Sequence, residues 1–223
     1  MRHPFPLPFP VRLNRARLVL APLPLLLLGV AASAHAQFGA PQATQVHDAS
    51  ALKPPAGARV AIVEFEDMEC PDCARANPLL KEAAAKYNIP WVRHDFPLPM
   101  HNWSFQAAVN ARFFDTKSIA LGNDYRDYIF SNQISIETPA QLQEFTQHFA
   151  DAHKIAMPFA VDPMGKLTQE VKADYALGQR IGIEHTPTIW VVTDASHAAP
   201  FVEVVDRSKL YQIIDQALAE AKR

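Results

Sequence analysis

The stretch RVAIVEFEDMECPDC, residues 59–73, decides the architecture. Val60, Ala61, Ile62, Val63 and Phe65 make a nearly continuous apolar run with β-branched residues, the pattern of a strand covered on both faces. A few residues later Pro71 suits the first position of a helix, which makes Cys70 its N-cap; the helical pattern then runs to about Tyr87, with Pro78 expected to kink it. The order is strand, short turn, helix, with a cysteine at each end of the helix's first turn. Residues i and i+3 of a helix have β-carbons about 5–6 Å apart, so Cys70 and Cys73 can form a disulfide after a small backbone adjustment. In the reduced form Cys70 faces unpaired N–H groups and the positive end of the helix dipole, which favour thiolate. Cys70 is therefore the expected nucleophile, and Cys73, one turn inside, the buried resolving thiol.

These are the only two cysteines, and a bridge across so short a loop constrains little of the unfolded chain. Stability is not its purpose. The competing reading is half a zinc site completed by His94, His101 or another chain. It lacks a second pair at zinc spacing, so no metal is expected. Glu64 stands inside the apolar strand, where an unpartnered carboxylate is costly to bury. Desolvation there would raise its pKa and make it a proton acceptor for Cys73; the alternative is a solvated acid on a sheet edge.

Upstream, residues 1–36 carry Arg2, Arg12, Arg15 and Arg17, no acid, then an apolar run ending in Ala34-His35-Ala36. This reads as a secretory signal peptide cleaved near Ala36, placing the mature protein in the periplasm or outside the cell. The alternative, an uncleaved anchor, has a run shorter than the ~20 residues needed to span, broken by Pro22 and Pro24. The whole chain has 21 basic and 23 acidic residues. Without the arginine-bearing leader the balance is more acidic still, which argues against nucleic acid as a partner. Residues 37–58, rich in Ala, Gln and Pro, read as a flexible N-terminal segment ahead of one domain at 59–223.

Downstream, residues 90–95 suit a second strand. Three helical patterns follow, at 102–115, 118–132 and 139–152, forming an expected helical insertion over about 101–155. A further helix is expected at 165–178. Two short strands at 188–192 and 201–205 around a polar turn at 194–198 suit a hairpin, and an amphipathic helix covers 208–223. Trp91, Trp103 and Trp190 are expected in the core.

Far from the cysteines stands Ile183-Glu184-His185-Thr186-Pro187-Thr188. Taken with Val63-Glu64-Phe65 and Cys70-Pro71-Asp72-Cys73, it resembles the thioredoxin superfamily, and within it the DsbA-like periplasmic disulfide interchange proteins. The resemblance covers residues 59–223, including Phe96-Pro97-Leu98-Pro99-Met100-His101. It implies an α/β, thioredoxin-like fold with an inserted helical bundle. It also implies a cis Pro187 facing the cysteines and a Thr186 backbone that pairs with an extended substrate, beside Pro71 and Asp72. The implied protein is a thiol-disulfide oxidoreductase whose redox-active group is the Cys70–Cys73 disulfide, with no added cofactor. Its implied partners are cysteine-containing exported polypeptides and a membrane redox partner, either a quinone-linked oxidase or an electron donor.

Two departures matter. Asp72 stands where strongly oxidising members carry histidine, and Glu66, Asp67 and Glu69 add negative charge nearby. A helix terminus is worth ~0.3–1 kcal/mol to the thiolate and a neighbouring acid opposes it by a similar amount. The expectation is a less oxidising disulfide than in the histidine-bearing relatives, with ~1.4 kcal/mol corresponding to ~30 mV. His185 stands where relatives often have glycine; its side chain either approaches the thiolate or projects to solvent, and the solvent-facing reading is slightly favoured. Among functions, a disulfide-forming oxidase leads. A reductase or isomerase is the alternative within the class, and a chaperone-like, non-catalytic peptide-binding module the alternative outside it. Isomerases of the superfamily usually add a dimerisation domain, for which residues 37–58 are too few, so a monomeric oxidase is the expectation.

Overall fold

A computed structural model describes residues 42–195 and 199–222. The residues read from the sequence as a signal peptide with its cleavage site, and part of the expected hairpin turn, lie outside the described residues. The elements run β1 (Val60–Glu66), α1 (Pro71–Tyr87), β2 (Trp91–Asp95), α2 (Ser104–Asp115), α3 (Ile119–Asn132), α4 (Pro139–Ala152), α5 (Lys166–Ile181), β3 (Thr188–Thr193), β4 (Phe201–Glu203) and α6 (Leu210–Ala221). Helix α1 passes through Pro78 without interruption, and α5 continues three residues past Gly178 to end at Gly182, whose φ of 102° suits glycine.

Among the described residues the strands form one sheet in the order β2-β1-β3-β4. Strand β1 pairs parallel to β2 and antiparallel to β3, and β3 pairs antiparallel to β4. Every residue of β1 and β3 is buried, because helices cover both faces. Val60, Ile62, Ile189 and Val191 meet Leu80 and Ala83 of α1 and Leu210 and Ile214 of α6. Ala61, Val63, Phe65, Trp190 and Val192 meet Phe96 and Ile181 on the other face. Gly178 permits that second contact. A Cβ there would sit 2.5 Å from the Phe96 ring and 3.1 Å from Phe65, so any larger residue would push α5 off the sheet.

Helices α2, α3 and α4 follow one another after β2 and enclose their own core of Phe114, Tyr125, Ile129, Leu142 and Phe149. Thr138 and Gln141 start α4 with reciprocal side-chain-to-backbone bonds, a capping box. The apolar side of α5 divides its work. Leu167 and Val171 join the helical core, while Leu177 and Ile181 join the sheet.

Two expectations are corrected. The segment read as a flexible lead-in is docked over its described part. Leu52 is 2% exposed, the His47 N–H donates to the Ile181 carbonyl at 2.8 Å, and the Thr44 N–H donates to Glu203 at 2.6 Å. Its few apolar residues find one cleft beside α5, and a lack of periodicity does not reveal such docking. Trp103 and Trp190 are core residues as expected, but Trp91 is only half-buried, because β2 is an edge strand.

Buried charge ties the helical layer to the sheet. Arg93 on β2 pairs with Glu66 at 2.7 Å, both side chains almost fully enclosed. Arg126 on α3 makes two 3.0 Å bonds to Asp115 and lies 3.4 Å from Glu66. Removing one member of such a cluster leaves the others charged and dry, which is far costlier than losing a surface pair. Arg126→Met should therefore destabilise the fold by about 3–5 kcal/mol, read as a lowered urea midpoint; a loss under about 1 kcal/mol would contradict this role.

Candidate active site

Cys70 is the N-cap of α1, with extended backbone at φ −76° and ψ 120°, and Pro71 opens the first turn. The cap places its sulfur at the surface end of the helical core, 8% exposed, whereas Cys73 one turn inside is fully buried. Both are free thiols. The Asp67 N–H donates to the Cys73 sulfur at 3.4 Å, so the β1–α1 turn holds the inner cysteine from behind. The turn is itself braced. Its carbonyls at Met68 and Cys70 accept from the Gln133 side chain at 2.8 and 3.0 Å, and Glu69 accepts the N–H groups of Trp103 and Ser104 at the start of α2 at 2.7 and 3.0 Å.

The loop before β3 comes against the cysteines from the other side. The Thr186–Pro187 peptide bond is cis, and the Cys70 thiol donates to the Thr186 carbonyl at 3.3 Å. The Thr186 hydroxyl is buried beside it without a partner. On ionising, Cys70 gives up its own donation and gains others. The Cys73 S–H bonds to it most strongly, burial opposes the charge, and the Thr186 hydroxyl and the N–H groups of Cys73 and Asp72 add support. Together these lower the Cys70 thiol to about 5. Burial pushes Cys73 well above the ordinary thiol value, and its bond to Cys70 and the neighbouring charges of Cys70 and Glu64 push the same way. Two like residues three positions apart thus have opposite acidities.

Glu64 is 1% exposed on the central strand β1, so the solvated edge position weighed from the sequence is not where it stands. The Trp91 indole N–H donates to it at 3.0 Å. Burial, reinforced by the charge of Glu66, pushes its carboxyl up to about 8 against the pull of Arg93, the Trp91 bond and Arg207.

The acids expected to oppose the Cys70 thiolate do not stand free. Asp72 bonds Arg207 at 2.6 Å and Arg75 at 3.0 Å. Glu66 is held by Arg93. Asp67 accepts the Ser104 hydroxyl, the Leu98 N–H and His101. Glu69 caps α2. Counting charges along the sequence overstated the negative field, and the basis for expecting a less oxidising disulfide goes with it. His94 and His101, weighed as zinc ligands, are bound to Asp174 at 2.9 Å and Asp67 at 2.7 Å. Pro71 and His185 are exposed. Pro187 lines a small pocket of about 110 Å³ together with Asp72, His185, Ile189 and Arg207.

The structure therefore brings Cys70, Cys73 and Thr186 into contact, with Glu64 close enough for its charge to act on Cys73 and with Pro187 and Asp72 lining one pocket. Arg207 and Gln133 were not read from the sequence. Each meets the site from a distant position in the chain, and no local pattern marks either.

Residues 56–207 match the thioredoxin family model, and the chain belongs to that family. No curated protein matches the sequence. Among solved structures, alpha-DsbA1 of Wolbachia pipientis is similar at a TM-score of 0.60 and 15% identity, covering 76% of this chain and 91% of that one. The thiol-disulfide exchange protein alpha-DsbA2 of Wolbachia pipientis is similar at 0.59 and 18%, covering 74% and 84%. A periplasmic thioredoxin-like protein from Salmonella enterica serovar Typhimurium is similar at 0.58 and 15%, covering 74% and 88%. The fold is thioredoxin-like with helices α2 to α4 inserted between β2 and α5.

Because the Cys73 S–H is the leading support of the Cys70 thiolate, Cys73→Ala should raise the Cys70 pKa. In the native protein, alkylation of Cys70 should rise with pH around a midpoint near 5; in the variant the midpoint should move toward the ordinary ~8.5. An unmoved midpoint would show that the support comes from elsewhere.

Proposed function

We propose that this thiol-disulfide oxidoreductase of the thioredoxin family works as an oxidase on cysteine-containing exported polypeptides, in the periplasm or outside the cell. The observation that carries the direction is the low pKa of Cys70 beside a raised Cys73. Whatever stabilises the Cys70 thiolate stabilises the reduced protein over the disulfide, and so makes the disulfide a better electron acceptor.

In the proposed cycle a substrate thiolate attacks the Cys70 sulfur and forms a mixed disulfide. The Cys70–Cys73 bond breaks, and Cys73 leaves with the electron pair and takes a proton from Glu64. A second substrate thiol loses its proton and attacks its own chain's sulfur in the mixed disulfide, expelling Cys70 as a thiolate. The substrate has lost two electrons and the enzyme pair has gained them. A membrane redox partner, quinone-linked in this reading, reoxidises the pair. Run in reverse, Glu64 is the proton acceptor that frees Cys73 to attack.

Thr186 and Pro187 serve as the substrate platform. An extended peptide would pair with the Thr186 backbone and lie past Pro71 toward the pocket that Pro187 and Asp72 line. The enzyme needs no added cofactor or metal and acts as a monomer.

The direction is tested by following catalysed oxidation of a reduced, unfolded disulfide protein alongside insulin reduction, each with the native protein and with Cys70→Ser. Oxidation lost on that substitution supports the proposal. Insulin reduction without oxidation points to a reductase, and peptide binding without turnover to a chaperone-like module. Glu64→Gln should slow the step in which Cys73 departs by on the order of 100-fold. In the native protein that step should fall off as pH rises through about 8, where Glu64 loses its proton. Stopped-flow measurement across pH 6–10, a window of roughly two units either side of that value, should find the inflection missing in the variant.

A further inference from the structure

The residue between the cysteines is acidic, yet its charge is met from the far end of the chain. Arg207 stands in the turn Arg207–Lys209 that precedes α6, and its guanidinium grips residue 72 twice. One arm donates to the Asp72 carboxylate at 2.6 Å and another to the Asp72 backbone carbonyl at 3.2 Å. The second bond fixes the first turn of α1 itself. Asp206 caps that short turn by accepting the Ser208 N–H at 3.0 Å, so the position of Arg207 is set by its own backbone. Two-thirds of the Arg207 side chain is shielded from solvent, which limits screening by water and salt.

The other partner of Asp72 is weaker in kind. Arg75 lies three residues along the same helix and its side chain is 66% exposed. The charge of Arg207 also reaches Glu64, whose carboxylate it favours. Asp72, Arg75 and Glu64 are thus charged or titratable groups that share this electrostatic neighbourhood with Arg207, and His185 and Glu203 line the same pocket.

We propose that Arg207 is a positioning residue for the redox pair: it clamps Asp72 and cancels its charge, so that the acid between the cysteines does not oppose the Cys70 thiolate. The inference rests on the reading of Cys70 and Cys73 as the redox pair. It adds that the potential is set from outside the Cys70–Cys73 segment, by a residue 134 positions beyond Cys73 in the sequence. The sign follows from the charges. Without Arg207, the Asp72 carboxylate, two residues from Cys70, keeps only the exposed Arg75 to balance it, the thiolate is disfavoured, and the pair shifts toward the disulfide. With Asp72 neutral and Arg207 intact, an unbalanced cation faces Cys70 and the shift reverses.

The test is a double-mutant cycle with Arg207→Met, Asp72→Asn and the two combined, together with Arg207→Lys. Two quantities are read on each: the equilibrium constant against glutathione, in which one Cys70–Cys73 disulfide and two glutathiones give the dithiol and one glutathione disulfide, and the Cys70 titration in the reduced protein. Arg207→Met should raise the Cys70 pKa and shift the equilibrium about threefold to tenfold toward the disulfide, tenfold being ~30 mV. Asp72→Asn should shift both the other way, the double variant should return near the native values, and Arg207→Lys should keep most of the native behaviour. The inference is overturned if Arg207→Met leaves both quantities unchanged, or if the double variant behaves like Arg207→Met alone, which would mark a purely structural role. A native protein that forms no Cys70–Cys73 disulfide at any glutathione ratio would refute the redox reading instead, and the Cys70 titrations would still decide the role of Arg207.

Discussion

The support that the Cys73 S–H gives a Cys70 thiolate at the first turn of α1 is the interaction on which the chemistry turns. It exists only because Cys70 sits at the cap and Cys73 one turn inside, one near solvent and one sealed. A shared proton between unlike environments separates the acidities of two identical groups. Everything packed around that turn keeps the two sulfurs in those unlike surroundings: the Asp67 N–H behind Cys73, the Thr186 carbonyl and hydroxyl in front of Cys70, and the Gln133 amide on the turn's carbonyls.

Several layers of this arrangement could be read from local sequence. The run Val60 to Phe65 announced a strand buried on both faces because only a central strand tolerates unbroken apolar residues. Pro71 after Cys70 announced the cap, since proline's missing N–H is harmless at a helix start. Glu64 stood out because a carboxylate in such a strand needs a reason, and it is indeed enclosed. What local reading missed were partners brought together by folding. Asp72, Glu66, Asp67 and Glu69 looked like a concentration of unrelieved negative charge. Their counterparts, Arg207, Arg93, His101 with Ser104, and the start of α2, lie between 27 and 135 residues away. The segment around Leu52 was misread for the same reason, its burial depending on a cleft beside α5 that no pattern within the segment describes.

Buried ionic groups of this number are an expensive way to build a joint, and apolar replacements of the same volume can be more stable. Their geometry suggests why they persist. Arg93, Arg126 and Arg112 link β1 and β2 to α2, α3 and α5 through directional bonds, and directional bonds fix a helix's register on a sheet where apolar contacts would let it slide. A cysteine whose acidity depends on neighbours a few ångströms away needs that registry.

The side chain of Gln133, reaching from the end of α3 to the carbonyls of Met68 and Cys70, has a further implication. Together with Glu69, whose carboxylate seats the beginning of α2, it stitches the inserted helices to the catalytic turn in both directions. The insertion is therefore not a detachable module set beside a self-sufficient redox core. A trimmed chain retaining only the sheet with α1, α5 and α6 would keep both thiols but lose the scaffold that distinguishes them, so the minimal working unit of this protein is larger than the minimal thioredoxin fold.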